Sequence, residues 1–209
     1  SISNAIRNHG WNLQDMTEED LQVHEVEHAT SCATVLALGI SHSMTLYGED
    51  RITPAKKVAL ALTELIQNRY RKDALDVILF GDDAVIVEPG ELAFVSNGPY
   101  HTNTQAALQL AQRILARKKH ANKQVVMITD GKPSALTRPD GRIYKNAFGL
   151  DPYIVSETFA EVNACQKAGI MINTFMLARD YALVQFVRKI TEICSGKAYF
   201  TSPYTLGQY

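Results

Sequence analysis

Several features that would point to a partner or a compartment are missing from this sequence of 209 residues. The formal net charge is only -1, so no overall field favours a nucleic-acid backbone or an anionic membrane. No apolar run approaches the roughly 18 residues of a membrane span, and Ser1 to Asn4 lack the charged-then-apolar layout of a signal peptide. We therefore expect a chain that binds neither nucleic acid nor membrane.

Cysteine is also scarce. The three cysteines, Cys32, Cys165 and Cys194, are widely separated and have apolar or small neighbours. A disulfide framework would use a denser, even set, and a zinc site would use paired spacing. The pattern predicts buried thiols and a reducing, cytoplasmic compartment.

The length bounds the number of domains. The chain is long enough for one buried core and short for two domains of roughly 100 to 200 residues each. We expect an N-terminal extension over residues 1–32, with a short helix at Ser3–His9 and an edge strand at Leu21–His28. The main domain is expected over residues 33–209.

Short apolar runs alternate with longer amphipathic stretches, a pattern that predicts helices layered on a mostly parallel sheet. We expect an α/β, doubly wound sheet flanked by helices, with an antiparallel hairpin at its edge. The predicted strands are Thr34–Leu38, Leu75–Phe80, Ala84–Val87, Gln124–Thr129, Ile170–Leu177 and Ala198–Phe200. The predicted helices are Pro54–Tyr70, Asn103–Lys118, Val155–Lys167 and Tyr181–Cys194.

Two finer expectations concern surfaces. The first helix carries an apolar stripe at helical spacing, which we expect to pack on the sheet. The stripe consists of Val58, Ala61, Leu62, Leu65 and Ile66. Over Ser134–Asp151 the periodicity fails and proline and glycine recur, which predicts a surface loop. That segment either extends a binding surface or is a mobile insertion, and its larger side chains include Arg138, Arg142, Tyr144 and Phe148.

Polar side chains follow two of the predicted strands and lie just before one of the predicted helices. Ser41 and Ser43 follow the first strand, Thr102 precedes the second helix, and Asp130 ends a later strand. Ligands bind outside the carboxyl ends of the strands in open parallel sheets. Hydroxyl and carboxylate oxygens suit a hard cation, so Mg²⁺ or Mn²⁺ is the expected metal.

These segments resemble the von Willebrand factor type A family. Gly39-Ile40-Ser41-His42-Ser43 is similar to the DxSxS motif of that family, with glycine at its first position. Thr102-Asn103-Thr104 resembles the threonine loop, and Ile128 to Pro133 resembles the third, aspartate-bearing loop. The three segments occur in the family's order, and the resemblance covers about Ala33 to Phe200.

The resemblance implies a Rossmann-like fold and a protein-binding module with a metal-ion-dependent adhesion site, rather than an enzyme. Ser41, Ser43 and Thr102 would offer hydroxyls to the ion, and Asp130 would act directly or through a water. An acidic side chain of the partner would complete the coordination. The chain looks more like intracellular bacterial members, some of which work beside ring-forming ATPases.

Gly39 is the departure from the family pattern. It has three explanations: an introduced substitution that abolishes metal binding, a natural divergence to a metal-independent module, or a weak metal site helped by Asp82 or Asp83. Glycine would also relax the loop, because it permits backbone angles that aspartate resists.

An enzyme is the competing hypothesis. Gly39 to Ser43 partly matches the GxSxG nucleophile elbow of serine hydrolases, with Ser41 as the nucleophile. The second glycine of that motif is Ser43, and no histidine follows Asp130. Neither a GxxxxGK[ST] loop nor a GxGxxG turn follows any strand, so a nucleotide-binding enzyme is also disfavoured.

Overall fold

A computed structural model describes residues 31–44, 50–98, 100–130, 132–177 and 180–200. The helix predicted at Ser3–His9 and the edge strand predicted at Leu21–His28 lie outside these residues, and so does most of the predicted N-terminal extension.

Six strands form one sheet in the order β3-β2-β1-β4-β7-β8. All neighbouring pairs are parallel except β2 and β3, which form the expected antiparallel hairpin at one edge. This arrangement confirms the α/β, doubly wound fold. The strands are β1 (Cys32–Gly39), β2 (Ala74–Phe80), β3 (Ala84–Val87), β4 (Asn122–Thr129), β7 (Ile170–Met176) and β8 (Ala198–Phe200).

Within the described residues, four α-helices cover the two faces of the sheet. They are α1 (Ile52–Arg69), α2 (Thr104–Ala116), α3 (Pro152–Lys167) and α4 (Tyr181–Ile193), and a 3₁₀ helix spans Pro89–Phe94. The side chains of α2, α3 and α4 pack in one apolar cluster with Val35 and Ala37 of β1. The helix α1 packs on the other face with Leu36 and Leu38. Alternate residues of β1 therefore face opposite layers, as expected for a central strand buried on both sides.

Side chains at the helix starts explain where three helices begin. The side chains of Asn103, Asp151 and Asp180 accept hydrogen bonds from the main chain of the first turns of α2, α3 and α4. Each supplies an acceptor to N–H groups that have no partner within the helix. Gly169 has a φ of +68° just after α3, a conformation that glycine adopts without strain.

The buried face of α1 differs from the predicted stripe. Its buried residues are Ile52, Ala55, Ala59 and Thr63. Val58 and Leu62 of the predicted stripe are half-buried against the apolar core, so the prediction is confirmed for them. It is wrong for Ala61 and Leu65, which are exposed, Leu65 to 45%. Two of the buried positions carry alanine, whose small side chain lets the helix lie close to the sheet but adds little to a hydrophobic pattern. The larger apolar residues therefore shifted the predicted stripe toward the neighbouring face of the helix.

The prediction of a surface loop over Ser134–Asp151 is also wrong. Two strands, β5 (Ala135–Thr137) and β6 (Ile143–Lys145), pair as a separate antiparallel hairpin. Ala135 and Leu136 are buried. Strands of three residues are too short to produce a visible alternation, which is why proline and glycine dominated the pattern.

The strands β1, β2, β4 and β7 all end on one side of the molecule, called here the carboxyl end of the sheet. The register aligns Gly39 of β1 with Phe80 of β2, and Leu38 with Ile128 of β4. The segments that follow these strands are therefore neighbours, although long stretches of sequence separate them.

Candidate functional site

The predicted residues Ser41, Ser43 and Asp130 lie together at the carboxyl end of the sheet. The Ser41 and Ser43 hydroxyl oxygens are 2.9 Å apart, and the Ser43 hydroxyl donates to Asp130 Oδ1 at 2.8 Å. Ser41 and Asp130 are buried, while Ser43 is half-buried. These three side chains and Arg51, described below, are called the Asp130 centre.

The backbone of the serine segment is a turn. Residues 42–44 form a short 3₁₀ turn, with the Met44 N–H donating to the Ser41 carbonyl at 3.1 Å. The Ile40 N–H donates to the carbonyl of Phe80, which fixes this segment to the end of β2. The turn brings the two hydroxyls to the same side.

Arg51 is a member of the site that the sequence analysis missed. Its Nη1 donates to Asp130 Oδ2 at 3.0 Å, and its main-chain N–H donates to the Met44 carbonyl at 3.0 Å. The Asp130 side chain is fully buried and that of Arg51 is 16% exposed. Arg51 also sits at the start of α1, where the helix dipole disfavours a cation. This unfavourable position of a basic residue is the feature of the sequence that could have indicated a role for Arg51 outside the helix.

Burial controls the ionisation of Asp130. Removal from water raises the pKa of its carboxyl above the usual value, and the hydrogen bonds from Ser43 and Arg51 and the charge of Arg51 oppose this without cancelling it. A carboxylate in this environment requires its cation and its donors to stay ionised.

Thr102 lies in the neighbouring loop, held by its main chain. Its N–H donates to Ser134 Oγ at 3.0 Å, and its carbonyl accepts from the Ser134 N–H at 2.9 Å. Thr102 is buried, and the loop is joined to the serine segment by the His42 N–H, which donates to the Tyr100 carbonyl. Among the described residues, no hydrogen bond joins its hydroxyl to the Asp130 centre. The hairpin after β4 thus positions Thr102.

Gly39 is the last residue of β1 and needs no conformation special to glycine. The described glycines with positive φ are Gly141, Gly149 and Gly169, so the expectation that Gly39 relaxes the loop is not supported. A Cβ at position 39 would lie 3.2 Å from Thr129 Oγ1 and 3.4 Å from the Ile128 carbonyl. A side chain fits there if the Thr129 hydroxyl shifts by a few tenths of an ångström.

A second carboxylate occupies the same end of the sheet. Asp82 Oδ1 accepts from the His101 N–H at 2.8 Å, and Asp82 Oδ2 lies 2.6 Å from Lys145 Nζ. Burial alone would raise the pKa of Asp82, but the hydrogen bonds and charges of Lys145 and His101 outweigh it and hold the pKa below the usual value. This group of three side chains is called the Asp82 centre.

Neither Asp82 nor Asp83 is directed at the Asp130 centre by these contacts. Asp83 is exposed, and its Oδ1 accepts from the N–H of Ala84. No group of three or more histidine, cysteine, aspartate or glutamate side chains within the described ranges could hold a metal ion.

The Asp130 centre does not fit a divalent cation as it stands. Mg²⁺ requires several oxygen ligands in near-octahedral geometry, usually with one or two carboxylates. Here one carboxylate is present, one of its oxygens accepts from a hydroxyl, and the other contacts a guanidinium. A metal would have to displace Arg51 from Asp130.

The contacts of Ser41 also bear on the hydrolase hypothesis. Its hydroxyl lies beside Ser43, with no histidine hydrogen-bonded to it among the described residues. His42 is exposed, and His101 is half-buried with its Nδ1 3.5 Å from Asp82 Oδ1. A serine nucleophile needs a base within hydrogen-bonding reach, so nothing here favours that chemistry.

The three cysteines are free thiols, and the prediction that they are buried is confirmed for two of them and wrong for Cys32. Cys165 and Cys194 are buried and Cys32 is half-buried. Burial raises the pKa of Cys165 to about 12 and that of Cys194 to about 11. Across the described part of the chain, no helix is long and apolar enough to cross a membrane.

Comparison with known proteins gives one family match. The model of the family described as "Rv0959-like protein, vWA domain" matches residues 32–209. The uncharacterized protein Rv0959 of Mycobacterium tuberculosis is 33% identical over 205 residues, covering 94% of this chain and 30% of that protein. The chain thus spans less than a third of the length of the curated relatives it matches.

Solved structures share the fold at low identity. The vWF domain of the type V pili tip protein Mfa5 from Porphyromonas gingivalis has a TM-score of 0.68 at 11% identity, covering 85% of this chain and 91% of that chain. The pilus adhesin SpaC from Lactobacillus rhamnosus GG has a TM-score of 0.64 at 16% identity, covering 88% and 29%. At this level of identity, these likenesses show the fold alone.

Proposed function

The chain belongs to the Rv0959-like family of von Willebrand factor type A domains, and we propose that it is a protein-binding module whose partner docks on the carboxyl end of the sheet. The observation that carries the proposal is the convergence of the segments after β1 and β4 and before α2 on the Asp130 centre. Three loops that meet around one closed polar centre provide a rigidly supported surface, which is where binding residues concentrate.

Exposed aromatic side chains support a protein partner. Tyr100 is 42% exposed, Phe148 is 89% exposed and Tyr181 is 77% exposed. Tyr100 lies in the loop before α2, Phe148 lies between β6 and α3, and Tyr181 begins α4 just after β7, so all three belong to the carboxyl end. Tyrosine and phenylalanine are enriched in protein interfaces because they bury large areas at low entropic cost.

The position of Phe148 also favours one of the two hypotheses for residues 134–151. That segment is a hairpin held to the Thr102 loop by Ser134, and the Asn146 N–H donates to the Ser134 carbonyl at 2.9 Å. We propose that it extends the binding surface.

Basic side chains at this end favour a partner that offers a carboxylate. Lys132 is half-buried and His42 is exposed. An acidic residue on the partner would meet this side of the site with complementary charge. A ring-forming ATPase in the cytoplasm is one such partner, and it stays a prediction from the family resemblance.

Site-specific photo-crosslinking tests the docking surface. The full-length protein would carry p-benzoylphenylalanine in place of His42, which is exposed beside the Asp130 centre. The matched control would carry it in place of Lys119, which is exposed between α2 and β4 on the opposite side of the sheet. After irradiation in the source cells, we expect a discrete crosslinked protein from position 42 and none from position 119.

The same experiment can contradict the proposal. If the partner crosslinks as strongly from position 119 as from position 42, the carboxyl end is not the docking surface. An ester-hydrolysis assay on the purified chain provides the comparison with the enzyme hypothesis, in which activity lost in Ser41→Ala would be expected.

A further inference from the structure

We propose that Arg51 takes the place of the metal ion in this domain, so that the Asp130 centre is complete without a divalent cation. The proposal deepens the proposed function, since it concerns how the same site recognises a partner. Its observable is cation binding by the chain alone, which can be measured whether or not a partner is known.

Among the described residues, one carboxylate faces one positive charge at the centre. Asp130 supplies the carboxylate, Arg51 supplies one positive charge at 3.0 Å, and Ser41 and Ser43 are neutral. A divalent ion placed on Asp130 would meet the guanidinium at close range with the carboxylate fully buried, where water screens repulsion weakly. Metal binding therefore requires the loss of the ion pair.

Arg51 is also held in position by the fold. Its main-chain N–H donates to the carbonyl of Met44, a buried residue of the serine turn, and α1 begins directly after it. The serine turn and the arginine are thus one unit, in which the turn supplies the Ser43 hydroxyl to one Asp130 oxygen and Arg51 serves the other. A guanidinium suits this place because it stays charged when partly buried.

Among the described residues, no second carboxylate contacts the Asp130 centre. Position 39, which corresponds to the aspartate of the DxSxS motif, is glycine. Asp82 is neutralised by Lys145, and Asp50 accepts from the Thr53 N–H at the start of α1. An aspartate at position 39 would restore a negative charge. The atoms nearest to a Cβ there are the Thr129 hydroxyl, the Ile128 carbonyl oxygen and the Phe80 ring, at 3.2 to 3.4 Å. Gly39 and Arg51 together therefore account for a site built without metal.

Titration calorimetry with MgCl₂ and MnCl₂ on the 209-residue chain tests the proposal. We expect no saturable binding to the unaltered chain, and saturable binding to the double variant Gly39→Asp/Arg51→Met. The gain should be ~10–100-fold or more, the size of effect that supporting residues commonly have on metal affinity. The matched control Gly39→Asp/Arg69→Met removes an exposed arginine from the end of α1 and should gain much less.

Thermal unfolding checks the counterion role separately. Arg51→Met leaves Asp130 buried and unpaired, so its Tm should fall by about 6–12 °C relative to Arg69→Met. Arg51→Met/Asp130→Asn should recover part of that loss, because the orphaned charge is gone. If Arg51→Met does not fold, Arg51→Lys keeps the charge and should fold with no gain in Mg²⁺ affinity.

Saturable Mg²⁺ or Mn²⁺ binding by the unaltered chain, with a Tm that rises in the metal and falls in EDTA, would overturn the proposal. An unchanged Tm in Arg51→Met would also overturn it. Loss of the position-42 crosslink in EDTA would contradict metal independence, whereas failure to find any crosslink there would contradict the proposed function and leave the calorimetric result standing.

Discussion

The Asp130 centre and the Asp82 centre lie at the same end of the sheet and both pair an aspartate with a basic side chain, but their surroundings differ. Asp130 is fully buried and its pKa is raised, while the side chain of Asp82 is 23% exposed and its pKa is lowered. Breaking the ion pair therefore costs more stability at the Asp130 centre than at the Asp82 centre. A buried charge is unstable without its counterion, whereas a charge in contact with water is stabilised by solvation.

The comparison also explains why the candidate site offers little to a cation. Each aspartate is neutralised by a residue from a distant part of the chain, Arg51 in one case and Lys145 in the other. The predictions below test whether the two centres differ as their burial implies.

The largest expected effect is the loss of the buried carboxylate. Asp130→Ala leaves Arg51 without its partner and Ser43 without its acceptor, and should lower the free energy of unfolding by about 3–5 kcal/mol. Asp82→Ala should cost about 1 kcal/mol or less, because its partners reach water. Urea unfolding followed by circular dichroism measures both, and equal losses would remove the distinction between the two centres.

The two serines should differ next. Ser43 donates to a charged oxygen, so Ser43→Ala should cost about 1.5–3 kcal/mol. Ser41 bonds only to a hydroxyl in the described contacts, and Ser41→Ala should cost about 0.5–1.5 kcal/mol. The same urea experiment compares them, and a larger loss for Ser41 would mean that the hydrogen-bond chain runs differently.

The pH dependence of stability should have opposite signs at the two centres. The lowered pKa of Asp82 gives stability that is present above its unfolded pKa and lost as the pH falls through the folded pKa. The raised pKa of Asp130 gives a contribution that is full below the unfolded pKa and lost as the pH rises through the folded pKa.

Unfolding free energies between about pH 3 and pH 7 measure this difference. As the pH falls, the unaltered chain should lose part of its excess free energy of unfolding over Asp82→Asn. Relative to Asp130→Asn, the free energy of unfolding of the unaltered chain should rise. A common sign for both variants would show that burial does not dominate at Asp130.

The smallest expected effect is on salt dependence. A double-mutant cycle should give a coupling energy of about 0.2–1 kcal/mol for Asp82 and Lys145 at low salt, which falls toward zero at about 1 M NaCl. The coupling of Asp130 and Arg51 should change little, because little solvent reaches the pair. Similar screening of both pairs would mean that ions enter the Asp130 centre.

Much of the fold follows from the sequence because apolar runs report burial. The bounds of β3 and β8 agree with the prediction, and the other strands and the helices differ by a few residues at their ends. The hairpin of β5 and β6 cannot be recognised in the hydrophobic pattern of the sequence, because its strands are short and pair with each other. The buried face of α1 is only partly predicted, because Ala55 and Ala59 are buried but add little to a hydrophobic pattern.

Only part of the site could be predicted from the sequence. Ser41, Ser43 and Asp130 were found because they follow strands, whose ends the apolar pattern locates. Arg51 is 79 residues from Asp130 in sequence and follows no strand, so only its contact in the folded chain identifies its role. A residue at the N-terminus of a helix that takes part in a site has no recognisable sequence pattern around it. The only local indication is a positive charge where the helix dipole disfavours one.

The most direct test of the central claim is a crystal structure of the chain grown with MnCl₂, with anomalous diffraction at the manganese absorption edge. We predict the Arg51 guanidinium on Asp130 Oδ2, the Ser43 hydroxyl on Oδ1, and no anomalous peak at the centre. A manganese peak coordinated by Ser41, Ser43 and Asp130, with Arg51 displaced, would contradict the account.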